Sequence, residues 1–105
     1  MALMNDVQIE VKNGCLWTLM PRFIDSENQE QIQDSIEHKL DNSIDRVVMD
    51  LQNVVSISSF AIGLIMRIRG ILEKKNCSLY FINVSDSCYE QLETVNLHKI
   101  LPVLD

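Results

Sequence analysis

The sequence predicts an α/β fold in which helices cover one mixed β-sheet. Segments with apolar residues at alternate positions, typical of strands, are interspersed with segments whose apolar residues recur every three or four positions, typical of helices. The resulting order is β-β-α-β-α-β-α with a tail. Because helices separate the strands that follow an N-terminal hairpin, these later strands are expected to be parallel and joined by right-handed crossovers.

The first two strands form the predicted hairpin. Val7, Ile9 and Val11 alternate with polar residues and are expected to face the core. The dipeptide Asn13-Gly14 strongly favours a two-residue hairpin turn, so residues 15–20 are expected to return antiparallel to the first strand.

The first helix is predicted over residues 27–40. Ser26 and Gln29 have the spacing of a capping box, which places the start of the helix just after the serine. Ile32, Ile36 and the leucine that ends the segment recur every four residues, so they are expected to form a narrow buried stripe.

A second unit of strand, turn and helix follows. Residues 46–51 form an apolar strand, and the uncharged, serine-containing turn after it leads directly into an apolar helix. Ser58 or Ser59 is expected to be the N-cap of this helix, because a serine hydroxyl can satisfy an N–H group of the first turn. The buried face of the helix is expected to hold Ala61, Ile65, Ile68 and Leu72.

The last predicted elements are a strand at residues 78–84 and a short helix. Ser87 and Glu90 have the spacing of a second capping box. The short helix is expected to bury Leu92 and Val95 and to end one residue later, before the tail.

Length and composition favour one domain over residues 1–105, with a core drawn from the 47% of residues that are hydrophobic. The amino end lacks the basic start and apolar core of a signal peptide. The longest uncharged stretch, residues 51–66, is too short and too polar for a membrane span of about 20 residues. A cytoplasmic protein without direct membrane insertion is therefore expected. The net charge of −6 disfavours nucleic acid, which leaves a protein as the expected partner.

The sequence contains no recognisable active-site motif. His38 and His98 lack a serine or cysteine at the spacing of a catalytic triad, and the glycine-rich phosphate-binding patterns are absent. The three cysteines lie far apart, without a histidine at metal-binding spacing, so buried thiols are expected. We therefore expect a non-catalytic protein with no cofactor and no metal site.

The turn and the helix start resemble the signature of STAS domains, the small regulatory modules of anti-sigma factor antagonists. In that family the strand leads into Asp-Ser-Ser-Gly-Leu-Gly-x-Leu, and the same frame here is Ser58-Ser59-Phe60-Ala61-Ile62-Gly63-Leu64-Ile65. The neighbouring strands and the closing segment, residues 97–103, are also similar to the family, so the likeness covers nearly the whole chain. It implies a STAS-like single domain.

The resemblance also implies a switch that binds a protein partner. In the family, the serine that follows the aspartate receives phosphate from a partner kinase. By position this serine is Ser59, and Ser58 is the other candidate phosphoacceptor. The implied partners are a serine-kinase anti-sigma factor or related regulator, which the unphosphorylated form binds, and an opposing phosphatase. The expected partner-binding residues are Ser56, Phe60, Gly63 and Arg67.

Departures from the family pattern leave two alternatives open. Ser58, Phe60 and Ala61 replace the aspartate, the second serine and the first glycine of the signature. In addition, Ile24 stands where a second acid is usual, unless Asp25 takes its place. One alternative is that the serine turn is only a structural cap. The other is a STAS accessory subunit of an ATP-binding cassette lipid transport complex, which would need no phosphorylation and fits the missing acids better.

Overall fold

The computed structural model describes residues 7–100, the side chains of His98 and Ile100 excepted. Within this range the elements follow the predicted order, and the tail adds a short fourth helix. They are β1 (Gln8–Lys12), β2 (Cys15–Leu19), α1 (Gln29–Lys39), β3 (Arg46–Asp50), α2 (Ser59–Lys74), β4 (Ser78–Ile82), α3 (Asp86–Thr94) and α4 (Leu97–Ile100). The part of the predicted tail after residue 100 lies outside the described residues.

The four strands form one mixed sheet in the order β1-β2-β3-β4, which confirms the predicted fold class. β1 and β2 are antiparallel, whereas β2, β3 and β4 run parallel. The turn between β1 and β2 has positive φ at both Asn13 (52°) and Gly14 (79°). Both residue types tolerate this conformation, which is why the dipeptide favours a tight hairpin.

The core lies between one face of the sheet and the helices. Two rows of side chains cross this face from β2 to β4, and all six are buried: Leu16, Val47 and Leu79 in one row, and Thr18, Met49 and Phe81 in the other. The predicted α2 stripe of Ala61, Ile65, Ile68 and Leu72 is buried in the same cluster, as are Ile32 and Ile36 of α1. The face assignment of α2 is therefore confirmed, and that of α1 is confirmed for these two isoleucines. Leu40, the third residue of the predicted α1 stripe, is only half-buried, because the helix has already ended at Lys39.

The predicted start of α1 is wrong by two residues, because an aspartate and an asparagine organise the preceding turn instead of Ser26. Asp25 Oδ1 accepts hydrogen bonds from the N–H groups of Glu27 (2.9 Å) and Asn28 (3.0 Å). The amide of Asn28 bonds back to the Asp25 N–H (2.9 Å) and to the Phe23 carbonyl oxygen (2.7 Å). These bonds form a separate turn, and α1 begins after it, at Gln29.

The predicted start of α3 is also wrong by two residues. Ser85, not Ser87, is the N-cap, and its Oγ accepts a hydrogen bond from the Cys88 N–H at 3.1 Å. Leu92 is buried as predicted, but Val95 is 41% exposed because the helix has already ended at Thr94.

Two further expectations of burial are wrong. Val11 is 49% exposed, since it lies near the end of an edge strand, beside the hairpin turn. Cys88 is buried, but Cys15 and Cys77 are only half-buried, because they lie at or just before the first residue of a strand.

We predict that Ile65→Ala and Ile68→Ala will each lower the free energy of unfolding by roughly 2 to 5 kcal/mol, because each removes buried methyl groups from the stripe packed on the sheet. Urea denaturation measures this loss. Met66→Ala is the matched control on the same helix, since Met66 is 40% exposed and its truncation should cost less than about 0.5 kcal/mol. Equal losses for all three variants would contradict the orientation of α2.

Candidate functional site

The candidate site lies where the parallel strands end, because the loops that follow β2, β3 and β4 meet at this edge of the sheet. Asp50, the last residue of β3, is only 2% exposed. Its carboxylate accepts hydrogen bonds from the backbone N–H of Gln52 (3.0 Å), from Gln52 Nε2 (2.9 Å) and from Asn83 Nδ2 (3.0 Å). One buried side chain therefore fixes the start of the β3–α2 turn and joins it to the end of β4.

Two more contacts hold the β3–α2 turn, which has no regular secondary structure of its own. The Val55 N–H donates to the Arg22 carbonyl oxygen at 3.4 Å, so the loop after β2 lies beside the turn. The side-chain amide of Gln91 in α3 bonds to both backbone groups of Ile57, accepting from its N–H (2.7 Å) and donating to its carbonyl oxygen (3.3 Å). The turn is thus attached to neighbours on both sides.

Ser58 is the N-cap of α2, one of the two caps that the sequence predicts. Its Oγ accepts a hydrogen bond from the Ala61 N–H (3.1 Å) and donates one to the Ile24 carbonyl oxygen (2.6 Å). The hydroxyl is therefore engaged both as an acceptor and as a donor, and the residue is half-buried.

Ser59 is the first residue of α2 and is exposed. Its hydroxyl makes no hydrogen bond to any of residues 7–100, and the first turn of α2 contains no acidic residue. A helix start carries a partial positive charge and unpaired N–H groups, so an anion at this position is stabilised. The two adjacent serines thus differ: one hydroxyl is part of the fold, and the other faces solvent.

The acids that are usual near this position in the resembled family are missing from the geometry as well as from the sequence. Ile24 is buried, and Oδ1 of Asp25 accepts hydrogen bonds from two N–H groups of its own turn. Within the described residues, no three His, Cys, Asp or Glu side chains are grouped so that they could hold a metal ion. No helix in residues 7–100 is long and apolar enough to span a bilayer.

Apolar side chains on the turn and on the adjoining loop are exposed around the serines. Phe60, predicted to bind a partner, is 42% exposed, and Ser56 is also exposed. Phe23 and Val55, which sequence reasoning missed, are 52% and 51% exposed. The sequence position of Phe23 could have indicated its exposure. It lies in a loop between Pro21 and the next helix, where no strand or helix periodicity places a side chain in the core. We refer to Phe23, Val55 and Phe60 as the apolar rim.

The other two predicted partner-binding residues lie further along α2, beside α1. A Cβ atom on Gly63 would be 3.3 Å from Nη1 of Arg67. Arg67 donates from Nε to Gln33 Oε1 (2.9 Å) and from Nη2 to Gln29 Oε1 (2.7 Å). Arg67 therefore links α2 to α1 through neutral side chains. The structure places the predicted residues in two groups, one at the turn and one in the groove between these helices.

The chain is similar to a known protein family in sequence and to solved structures in fold. The family model for the STAS domain matches residues 6–105. Among curated protein sequences, none is similar enough to match this chain.

Solved structures share the fold at low sequence identity. The Thermotoga maritima protein TM1081 has a TM-score of 0.82 and 17% identity, with 92% of this chain and 78% of that chain covered. An anti-sigma factor antagonist from Mycobacterium paratuberculosis has a TM-score of 0.78 and 15% identity, covering 98% and 89%. The Bacillus cell fate determinant SpoIIAA in its phosphorylated form has a TM-score of 0.73 and 16% identity, covering 95% and 92%.

We predict that Ser58→Ala will lower the free energy of unfolding by about 0.5 to 2 kcal/mol, because it removes the cap of α2 and the bond to Ile24. Ser59→Ala is the matched control and should change stability by less than about 0.5 kcal/mol, since its hydroxyl has no partner within residues 7–100. Urea denaturation of both variants provides the comparison. A larger loss for Ser59→Ala than for Ser58→Ala would contradict the assignment of the cap.

Proposed function

The chain belongs to the STAS domain family, and on that premise we propose that it is a non-catalytic protein-binding switch of the anti-sigma factor antagonist type, controlled by phosphorylation of Ser59. The observation that carries the proposal is the exposed hydroxyl of Ser59 at the start of α2, which makes no hydrogen bond to residues 7–100 and is adjacent in sequence to the exposed Phe60 of the apolar rim. Ser58 is the weaker candidate phosphoacceptor, because phosphorylation would remove the proton that its hydroxyl donates to the Ile24 carbonyl oxygen and would place the phosphate against that oxygen.

The proposed reaction takes place on a partner kinase, a serine-kinase anti-sigma factor or a related regulator. The Ser59 oxygen attacks the γ-phosphorus of a nucleoside triphosphate, so that an O–P bond forms while the bond to the bridging β,γ-oxygen breaks. The nucleoside diphosphate leaves, and the hydroxyl proton passes to a base of the kinase. An opposing phosphatase restores the serine by hydrolysis. Among the solved structures similar in fold, SpoIIAA is known in both unphosphorylated and phosphorylated forms.

Phosphorylation would weaken partner binding through its charge. A phosphoserine adds about −1.5 to −2 charges at neutral pH. The helix start tolerates this charge because its partial positive charge is not offset by any acid in the first turn. A partner that covers the apolar rim would have to desolvate the same charge, and burying an unpaired charge is costly. The unphosphorylated form is therefore the binding form.

The proposed role gives the chain no catalysis of its own and places it in the cytoplasm, where a kinase and its nucleotide are available. The net charge of −6 is consistent with a protein partner and not with nucleic acid. Ser56, Phe60, Gly63 and Arg67 remain the proposed contact residues, and we add Phe23 and Val55 because they are exposed beside the turn.

A second candidate function is the accessory subunit of an ATP-binding cassette lipid transport complex. The observation in its favour is that no acid flanks the serines: Ser58 and Ile24 occupy the positions of the acids that are usual in the family, and Asp25 is engaged in its own turn. A kinase that recognises those acids would find less to bind. In this case the same surface would dock permanently, without a switch.

We predict that Ser59→Asp will weaken binding to the partner captured from the native cell at least about tenfold, whereas Ser59→Ala will bind like the unphosphorylated wild type. Phe60→Ala should weaken binding by at least about fivefold, as expected for a central aromatic contact. Met66→Ala is the control, because it truncates an equally exposed apolar side chain outside the proposed contact residues. Affinities are compared at equal folded fraction, and mass spectrometry of the native protein locates any phosphate.

The switch is ruled out if Ser59→Asp binds as tightly as wild type and no phosphate is found on Ser58 or Ser59. Copurification with permease and ATPase subunits would then identify the transport complex as the better function.

A further inference from the structure

We propose that Arg67 binds the phosphoryl group on Ser59 within the same chain and so acts as an internal receptor for the modification. This inference rests on the proposed phosphorylation of Ser59. It assigns to Arg67 a second role, distinct from contact with a partner.

The two residues lie two turns apart on α2, and the side chain of Arg67 extends over part of this distance. Ser59, Gly63 and Arg67 are spaced four residues apart, so consecutive members are neighbours on the helix surface. With a rise of about 1.5 Å per residue, each step covers about 6 Å along the axis. Long side chains in helices point back towards the N-terminus, and Nη1 of Arg67 does so, lying 3.3 Å from the position of a Cβ on Gly63. The guanidinium thus lies within about one turn of Ser59.

The residue between Ser59 and Arg67 on this face is Gly63, which has no side chain and so leaves room for the Arg67 side chain to extend towards Ser59. A side chain at position 63 would lie between the guanidinium and the first turn of the helix, and its Cβ would already press against Nη1. Gly63 has a negative φ, so the backbone conformation does not require a glycine there. Its role is to let the arginine lie across the helix surface.

Within residues 7–100, Arg67 has a spare donor and forms no ion pair. Its Nε and Nη2 donate to the side-chain oxygens of Gln33 and Gln29, and Nη1 has no acceptor within residues 7–100. Glu30 and Asp34 line the same groove, but neither carboxylate lies within 4.0 Å of a guanidinium nitrogen of Arg67. Arg69 differs, because it pairs with Glu73 at 2.9 Å. Arg67 is therefore the arginine of α2 that can take a new anionic partner.

A phosphate is a stronger acceptor than the two glutamine amides. Hydrogen bonds between a guanidinium and a phosphate are assisted by charge and can be bidentate, whereas a glutamine amide oxygen carries no net charge. We expect the guanidinium to turn towards the phosphorylated Ser59 and to release Gln29 and Gln33 of α1. Phosphorylation would then change the groove between the helices as well as the turn.

The test uses protein with phosphoserine installed at position 59 by genetic code expansion, so that no kinase is required. A ³¹P NMR titration measures the second pKa of the phosphate in three proteins: otherwise wild type, Arg67→Gln and Arg69→Gln. At low ionic strength we expect this pKa to be lower by about 0.3 pH unit with Arg67 present than in Arg67→Gln, as for an exposed pair of opposite charges. Arg69→Gln should match wild type, because Arg69 is paired with Glu73.

The side-chain amide signals of Gln29 and Gln33 give a second readout, and both should shift between unmodified and phosphorylated wild type. Equal phosphate pKa values in wild type and Arg67→Gln would overturn the proposal, as would an equal pKa increase in Arg69→Gln. These outcomes leave the proposed function untouched, since the phosphoserine is installed directly. Conversely, tight binding by Ser59→Asp together with the absence of phosphate from the native protein would refute the switch without affecting the titration.

Discussion

The buried carboxylate of Asp50 is the interaction on which the geometry of the site depends. A carboxylate removed from water is costly unless its oxygens accept hydrogen bonds, and here three donors from Gln52 and Asn83 satisfy it. Because these donors belong to the loops after β3 and β4, the buried carboxylate keeps all three bonds only if both loops take their observed paths. The start of the turn is thereby fixed, and α2 begins from a defined position above the sheet.

Ser58 is the second such constraint, and it explains what the chain gains from lacking an aspartate there. An aspartate could accept the Ala61 N–H bond as a cap, but an ionised carboxylate cannot donate a hydrogen bond to the Ile24 carbonyl oxygen. The serine hydroxyl does both, so it joins the loop before α1 to the start of α2. The same replacement removes a negative charge, which leaves the partial positive charge at the helix start available to an anion on Ser59.

Local patterns predicted the fold, whereas contacts between distant segments decided what could not be predicted. The Asn13-Gly14 turn and the buried stripe of α2 are short-range features, and both were predicted. The predicted cap of α3 is wrong because Ser87, with Glu90 three residues later, has the capping-box spacing that Ser85 lacks, whereas the structure selects Ser85. The position of Phe23 beside the β3–α2 turn depends on a bond between backbone groups 33 residues apart, Arg22 and Val55. The link from Arg67 to Gln29 likewise spans 38 positions.

These constraints limit how the site could respond to a modification. The turn is held by Asp50, by Gln91 and by the loop at Arg22, and Ser58 closes it at the helix start. A phosphate on Ser59 could therefore not be accommodated by moving the backbone without breaking several of these bonds. The group that can respond at low cost is the exposed side chain of Arg67, whose bonds to α1 are made to neutral amides. A switch at this site would thus act through the charge of the phosphate and the movement of the Arg67 side chain. The backbone fold would remain unchanged.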